Sequence, residues 1–98
     1  MKTKNATLIG MIDAMIKDYN DFSELVALCY AQKKDGEKVD EGTIQWNRGH
    51  LYCIEEYLTD LAKEIGVELS FECGMHKFGF DDWQRWLEYV TVRRVKNF

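Results

Sequence analysis

The chain has 98 residues, 46% of them apolar and 31% charged, with a formal net charge of −4. That length holds one hydrophobic core, so a single compact domain over residues 1–98 is expected and a second is excluded. The apolar content excludes a disordered chain, and no apolar run approaches the roughly 18 residues of a membrane span.

Along the chain, Lys2 and Lys4 precede an apolar run in the order of a signal peptide, but Asp13 interrupts it and no small-residue cleavage pattern follows. The run is therefore read as the first helix, and the sequon at Asn5 as incidental. Leu8, Met11, Ile12, Met15, Ile16 and Tyr19 recur at steps of three and four, one face of an amphipathic helix. Phe22, Leu25, Val26, Leu28 and Cys29 continue nearly in phase. Asn20 and Asp21 are capping types, with Glu24 three residues after Asp21, so two segments are expected, about 5–18 and 22–33, or one kinked rod. Lys33 to Lys38 reads as an exposed turn around Gly36.

The strongest element is Thr43 to Ile65. Ile44, Leu51, Leu58 and Ile65 fall seven apart, Ile54 and Leu61 fill the second heptad position, and Gly66 stands where a left-handed cap belongs. A second apolar stripe of Trp46, His50, Cys53 and Tyr57 runs about 90° around the axis from that seam, counting 100° per residue. Some other element has to cover it. Val67 to Cys73 alternates apolar and polar residues with the period of a half-buried strand. A turn near Asp81 to Gln84 and a β-branched strand from about Trp86 to Val95 complete an antiparallel hairpin, the expected cover for the stripe. The fold expected is α+β, two or three packed helices with a C-terminal two-stranded antiparallel hairpin; the alternative is an all-α bundle.

Four residues have the composition of a metal site. His50 and Cys53 sit one helical turn apart, and Cys73 and His76 repeat the pair in mirror order, so the four could surround a zinc ion tetrahedrally. The preferred reading is that the cysteines pack as small hydrophobes, in a core large enough to need no metal, and that Cys53 and Cys73 are near each other. No cofactor is expected otherwise. The odd number of cysteines, Cys29, Cys53 and Cys73, with no framework spacing, suits a reducing, cytoplasmic setting. No catalytic set emerges: no carboxylate orients the His50 and Cys53 pair, and no phosphate-binding glycine loop exists.

Charge and aromatic content point to binding instead. From Asp35 to Glu72 the local balance is −7, and from Cys73 to Phe98 it is +2. The acidic middle opposes general nucleic-acid binding. Phe78, Phe80, Trp83 and Trp86, interleaved with Arg85, Arg93 and Arg94, make an aromatic and basic end suited to a protein partner or to stacking unpaired bases. Glu56, Asp60 and Glu64 line up at i, i+4 and i+8, an acidic face that is either solvated or imitates a phosphate backbone. The expected function is a non-catalytic interaction or regulatory domain, binding a protein or a second copy of itself through the aromatic end or the heptad seam. The alternatives are an inhibitor or adaptor of nucleic-acid machinery and a small zinc-stabilised domain; nucleic acid itself is a less favoured partner, and no membrane is expected.

Overall fold

The computed structural model describes residues 2–80 and 82–95, apart from the side chains of 2–6 and 80, and consists of two helices followed by a β-hairpin. The sequon at Asn5, the turn residue Asp81 and the end residues Lys96 and Phe98 thus lie wholly or in their side chains outside the described residues.

Helix α1 spans Lys2–Lys34 without interruption, where two segments were expected. The reason lies in what the two capping types do. Asn20 turns its carboxamide to another element: Nδ2 donates to the Val92 carbonyl at 3.2 Å and Oδ1 accepts from the Val92 N–H at 2.8 Å. Asp21 accepts from Lys17 Nζ at 2.7 Å, an i, i+4 pair along the helix surface. Neither side chain is left to cap a new helix, and no glycine or proline interrupts the backbone there. The helix ends in a Schellman motif, with Gly36 at φ 86°, its N–H on Lys33 O at 3.1 Å and the Glu37 N–H on Gln32 O at 3.0 Å.

Helix α2 spans Glu41–Ile65. It begins two residues earlier than its periodicity indicates because Asp40 caps it, accepting from the Gly42 N–H at 3.1 Å and the Thr43 hydroxyl at 3.0 Å. Gly66, at φ 78°, ends it as the spacing predicts. The heptad seam forms the core face. Ile44 and Leu58 are buried, and Leu51, Ile54, Leu61 and Ile65 pack against Ile12, Tyr19, Ala62 and Val92. Burying a side chain of this kind contributes about 1.5–3 kcal/mol. The seam is thereby occupied by the chain's own α1 and hairpin, which removes it as a surface for self-association.

Strands β1 (Leu69–Phe80) and β2 (Trp83–Arg94) pair antiparallel along their whole length, from Leu69 with Arg94 to Phe80 with Trp83. Both are longer at the tip than the expected hairpin, because Gly74 to Phe80 continue the ladder. Leu87 and Val92 are both buried although five residues apart, which puts them on opposite faces of a flat strand. The strong twist of a two-stranded ribbon reconciles them: Val90 and Val92 join the main core, while Tyr89 and Arg85 meet α1 farther toward the tip.

Strand β2 lies antiparallel along α1, held by a series of side-chain contacts. Arg94 binds Asp13 at 2.7 Å, Val92 binds Asn20, the Tyr89 hydroxyl donates to Glu24 at 2.9 Å and Arg85 binds Asp35 at 2.7 Å. The helix rises about 33 Å between Asp13 and Asp35. Nine strand steps from Arg85 to Arg94 cover about 30 Å, so the two ladders of contacts stay in step. Among the described residues no helix is long and apolar enough to cross a membrane.

Candidate functional site

Docking of the hairpin decides which surfaces remain open. The expectation that it covers Trp46, His50, Cys53 and Tyr57 is corrected by the structure. Val90 shares a cleft with Arg48, Leu51, Tyr52 and Glu55, the opposite flank of the α2 seam. The second stripe faces solvent, with Trp46 60% and Tyr57 69% exposed. Among the described residues its cover is local: Phe22 of α1 stacks on His50 at 5.3 Å between ring centres and meets Trp46 at 6.3 Å, and Trp46 leans on His50 at 4.0 Å.

Gly49 opens a notch in this ridge. A Cβ added there would meet nothing within 4 Å, so no internal packing requires the glycine. A mid-helix glycine nevertheless costs about 1 kcal/mol relative to alanine. Trp46, His50 and Cys53 wall the notch. Glu56, Asp60 and Glu64 are exposed and extend the same surface toward the C-terminal end of α2. Among the described residues none of the three belongs to an ion pair.

The aromatic and basic end is different from its expected form. Arg85, Arg93 and Arg94 are paired with Asp35, Glu72 and Asp13 of the same chain, at 2.7, 3.1 and 2.7 Å. Their charge is largely spent within the molecule. Phe78 meets Trp83 edge to face at 5.8 Å, and both Trp83 and Trp86 are exposed, Trp86 at 61%. The ladder places Trp83 and Trp86 on opposite faces of the ribbon, so they do not form one patch. The Phe80 side chain lies outside the described residues.

The four residues of the zinc hypothesis are not brought together. Among the described residues no group of three or more His, Cys, Asp and Glu side chains is arranged to hold a metal ion. His50 is engaged by Phe22 and Trp46, while His76 stacks on Tyr89 at 4.3 Å. All three cysteines are free thiols. Cys73 Sγ lies 3.6 Å from Glu88 Oε1. Desolvation and that carboxylate push the Cys73 thiol above its ordinary range, which disfavours the thiolate a nucleophile or metal ligand needs.

A second site, not evident from the sequence, lies between α1, α2 and β2. It is a cleft of about 330 Å³ into which Tyr19, Ser23, Arg48, Tyr52 and Glu55 project beside Val90. Among the described residues Arg48 has no carboxylate partner; its Nη2 donates to the Tyr52 hydroxyl at 3.4 Å, and the Tyr30 hydroxyl also meets its guanidinium. Burial raises the Tyr19 phenol, and the nearby Glu55 and Tyr52 add to the rise, which marks how closely these groups converge. Helical spacing sets Arg48, Tyr52 and Glu55 on one flank of α2, at i, i+4 and i+7, and only the packing of α1 and β2 turns that flank into a cleft. No family model, no curated protein and no solved structure matches the chain.

Proposed function

We propose that this chain is a non-catalytic binding protein that docks onto a protein partner through the outer face of α2. The observation that carries the reading is the coexistence, on one helix face, of exposed Trp46 and Tyr57 with the unpaired carboxylates Glu56, Asp60 and Glu64. Tryptophan and tyrosine dominate interface energetics, and Trp46, His50, Cys53 and Tyr57 have the spacing of anchors for a helix lying in a groove. The partner is accordingly a protein with an apolar groove rimmed by lysine or arginine, because charge complementarity steers and orients association. The Gly49 notch admits a side chain of that partner. A reducing, cytoplasmic setting fits the three free thiols.

A second reading draws on the acidic row alone. Glu56, Asp60 and Glu64 repeat about every 6 Å along the axis, so a partner with a cationic nucleic-acid channel is one protein that would accept α2. Direct nucleic-acid binding by the hairpin loses support, since Arg85, Arg93 and Arg94 are already paired.

Photo-crosslinking amino acids placed at Trp46 and Tyr57, with Trp83 as the comparison position, test the proposal in the native host. Adducts from the α2 positions onto a basic segment of a protein support it. Adducts confined to the hairpin tip refute it, and competition of the α2 adduct by single-stranded RNA selects the second reading.

A further inference from the structure

We propose that the cleft between α1, α2 and β2 binds a small carboxylate that also carries a hydrogen-bond donor, the chemistry of a free amino acid or of the last residue of a peptide. This site is on the flank of α2 opposite the proposed docking face and does not depend on it. Three observations carry the assignment. Arg48 lines the cleft and, among the described residues, has no carboxylate partner, only the neutral hydroxyls of Tyr52 and Tyr30, whereas every other arginine of the chain has a carboxylate. A planar fork of donors of this kind matches a carboxylate in two-point fashion.

Ser23 is the second observation. It is only 5% exposed and lines the cleft, yet its hydroxyl has no hydrogen-bond partner among the described residues. The hydroxyl is not one of the fully buried unpartnered polar atoms and so opens to the cleft, where a ligand oxygen would take the place of water. The third is Glu55, two helical turns beyond Arg48 on the same flank and not in an ion pair with it. Its charge repels a phosphate dianion and attracts an ammonium or amide donor, so the cleft selects a ligand with opposite polarity at its two ends. Leu51 and Val90 supply an apolar wall between those ends. A volume of about 330 Å³ falls at the small end of the range for ligand sites.

The test is an amide and arginine Nε NMR titration of the whole chain with four probes: L-leucine, N-acetyl-L-leucine, L-leucinamide and inorganic phosphate. Saturable shifts at Ser23, Arg48, Tyr52 and Glu55 with the first two, and none with leucinamide, are expected. Tighter binding of leucine assigns a free amino acid, and tighter binding of N-acetyl-leucine assigns a peptide end. R48Q is expected to weaken binding at least tenfold. S23A, a small change that leaves the fold's packing nearly intact, is expected to weaken it severalfold and keeps the test valid should R48Q unfold. Equal shifts with phosphate, shifts with leucinamide, unchanged binding by a folded variant, or no shift with any probe would each overturn the proposal.

Discussion

Asn20, in the middle of the long first helix, holds both backbone polar groups of Val92, donating at 3.2 Å and accepting at 2.8 Å. It acts as a single-residue strand against the edge of β2. The carboxamide is the one uncharged side chain that offers donor and acceptor together in this geometry. Val92 is itself buried in the main core, so losing its partner leaves polar backbone without water. Asn20→Leu is therefore expected to destabilise the chain by about 2–4 kcal/mol, from two unsatisfied groups at about 1–3 kcal/mol each less the apolar burial gained. Urea unfolding measures the loss, and hydrogen exchange at the Val92 amide shows whether it is local. Unchanged protection of that amide in the variant counts against the account.

Two glycines make opposite predictions from one substitution. At Gly79 the backbone is at φ 126° and an added Cβ would lie 2.1 Å from the Trp83 carbonyl oxygen. Gly79→Ala is expected to break the hairpin tip, costing more than about 2 kcal/mol through combined strain and overlap. At Gly49 nothing obstructs a Cβ, and Gly49→Ala is expected to stabilise by about 0.5–1 kcal/mol. Thermal unfolding of the two variants side by side checks the sign of each.

Much of this arrangement was legible where period alone decides the outcome. The heptad of Ile44, Leu51, Leu58 and Ile65 located α2 and its buried face, and the alternation from Val67 to Cys73 located the start of the hairpin. What stayed hidden depends on contacts between residues far apart in the chain. Asn20 and Asp21 have the side chains of helix caps, and only the partner Val92, 72 positions away, shows why Asn20 caps nothing. The side of α2 that the hairpin takes is hidden for a related reason. Both flanks of the seam carry aromatic rings, Trp46 and Tyr57 on one and Tyr52 on the other. The choice is made by the contacts of Arg94, Val92, Tyr89 and Arg85 with α1, which no local pattern encodes. Ser23 reads alone as part of a helix-capping pattern and Arg48 as ordinary helix; the cleft exists only once β2 is in place.

Alkaline stability follows from the Tyr89 and Glu24 contact. Burial, and then the Glu24 carboxylate accepting from its hydroxyl, push the Tyr89 phenol up to about 12 from an ordinary value of 10.0. The folded state thus holds this proton more tightly than the unfolded state. Its stabilising effect is complete below pH 10 and is lost as the pH rises from 10 toward 12. Urea midpoints measured across that window should fall with pH in the parent chain and fall less steeply in Tyr89→Phe. Identical slopes in the two proteins would remove Tyr89 as the source.

The thiols supply a chemical check on the hairpin. Cys73 is exposed, but its proton is held by desolvation and by Glu88. Alkylation of Cys73 near pH 8 is expected to be slower than that of an unhindered thiol, because the thiolate is the reacting form. Glu88→Gln removes the charge while preserving the side chain's size, and alkylation at Cys73 should accelerate. Peptide mapping after timed labelling gives the rate at each cysteine separately. No acceleration in the variant would mean that Glu88 does not govern this thiol.

Stability should separate from the proposed docking role on α2, because one face is buried and the other is exposed. Leu58 is fully buried, so Leu58→Ala is expected to cost about 2–5 kcal/mol by removing core contacts and leaving a cavity. Trp46 and Tyr57 are 60% and 69% exposed and contribute little to that core. Trp46→Ser and Tyr57→Ser should shift stability by less than about 1 kcal/mol, the lost contact of Trp46 with His50 being the larger part. Calorimetry of the three variants tests this ordering without any partner. A Tyr57→Ser variant as unstable as Leu58→Ala would show that the outer face is structural, and it would withdraw the reason for assigning that face to a partner. With the expected ordering, the exposed aromatic ridge is not needed by the fold, which is the physical argument behind the proposed protein groove.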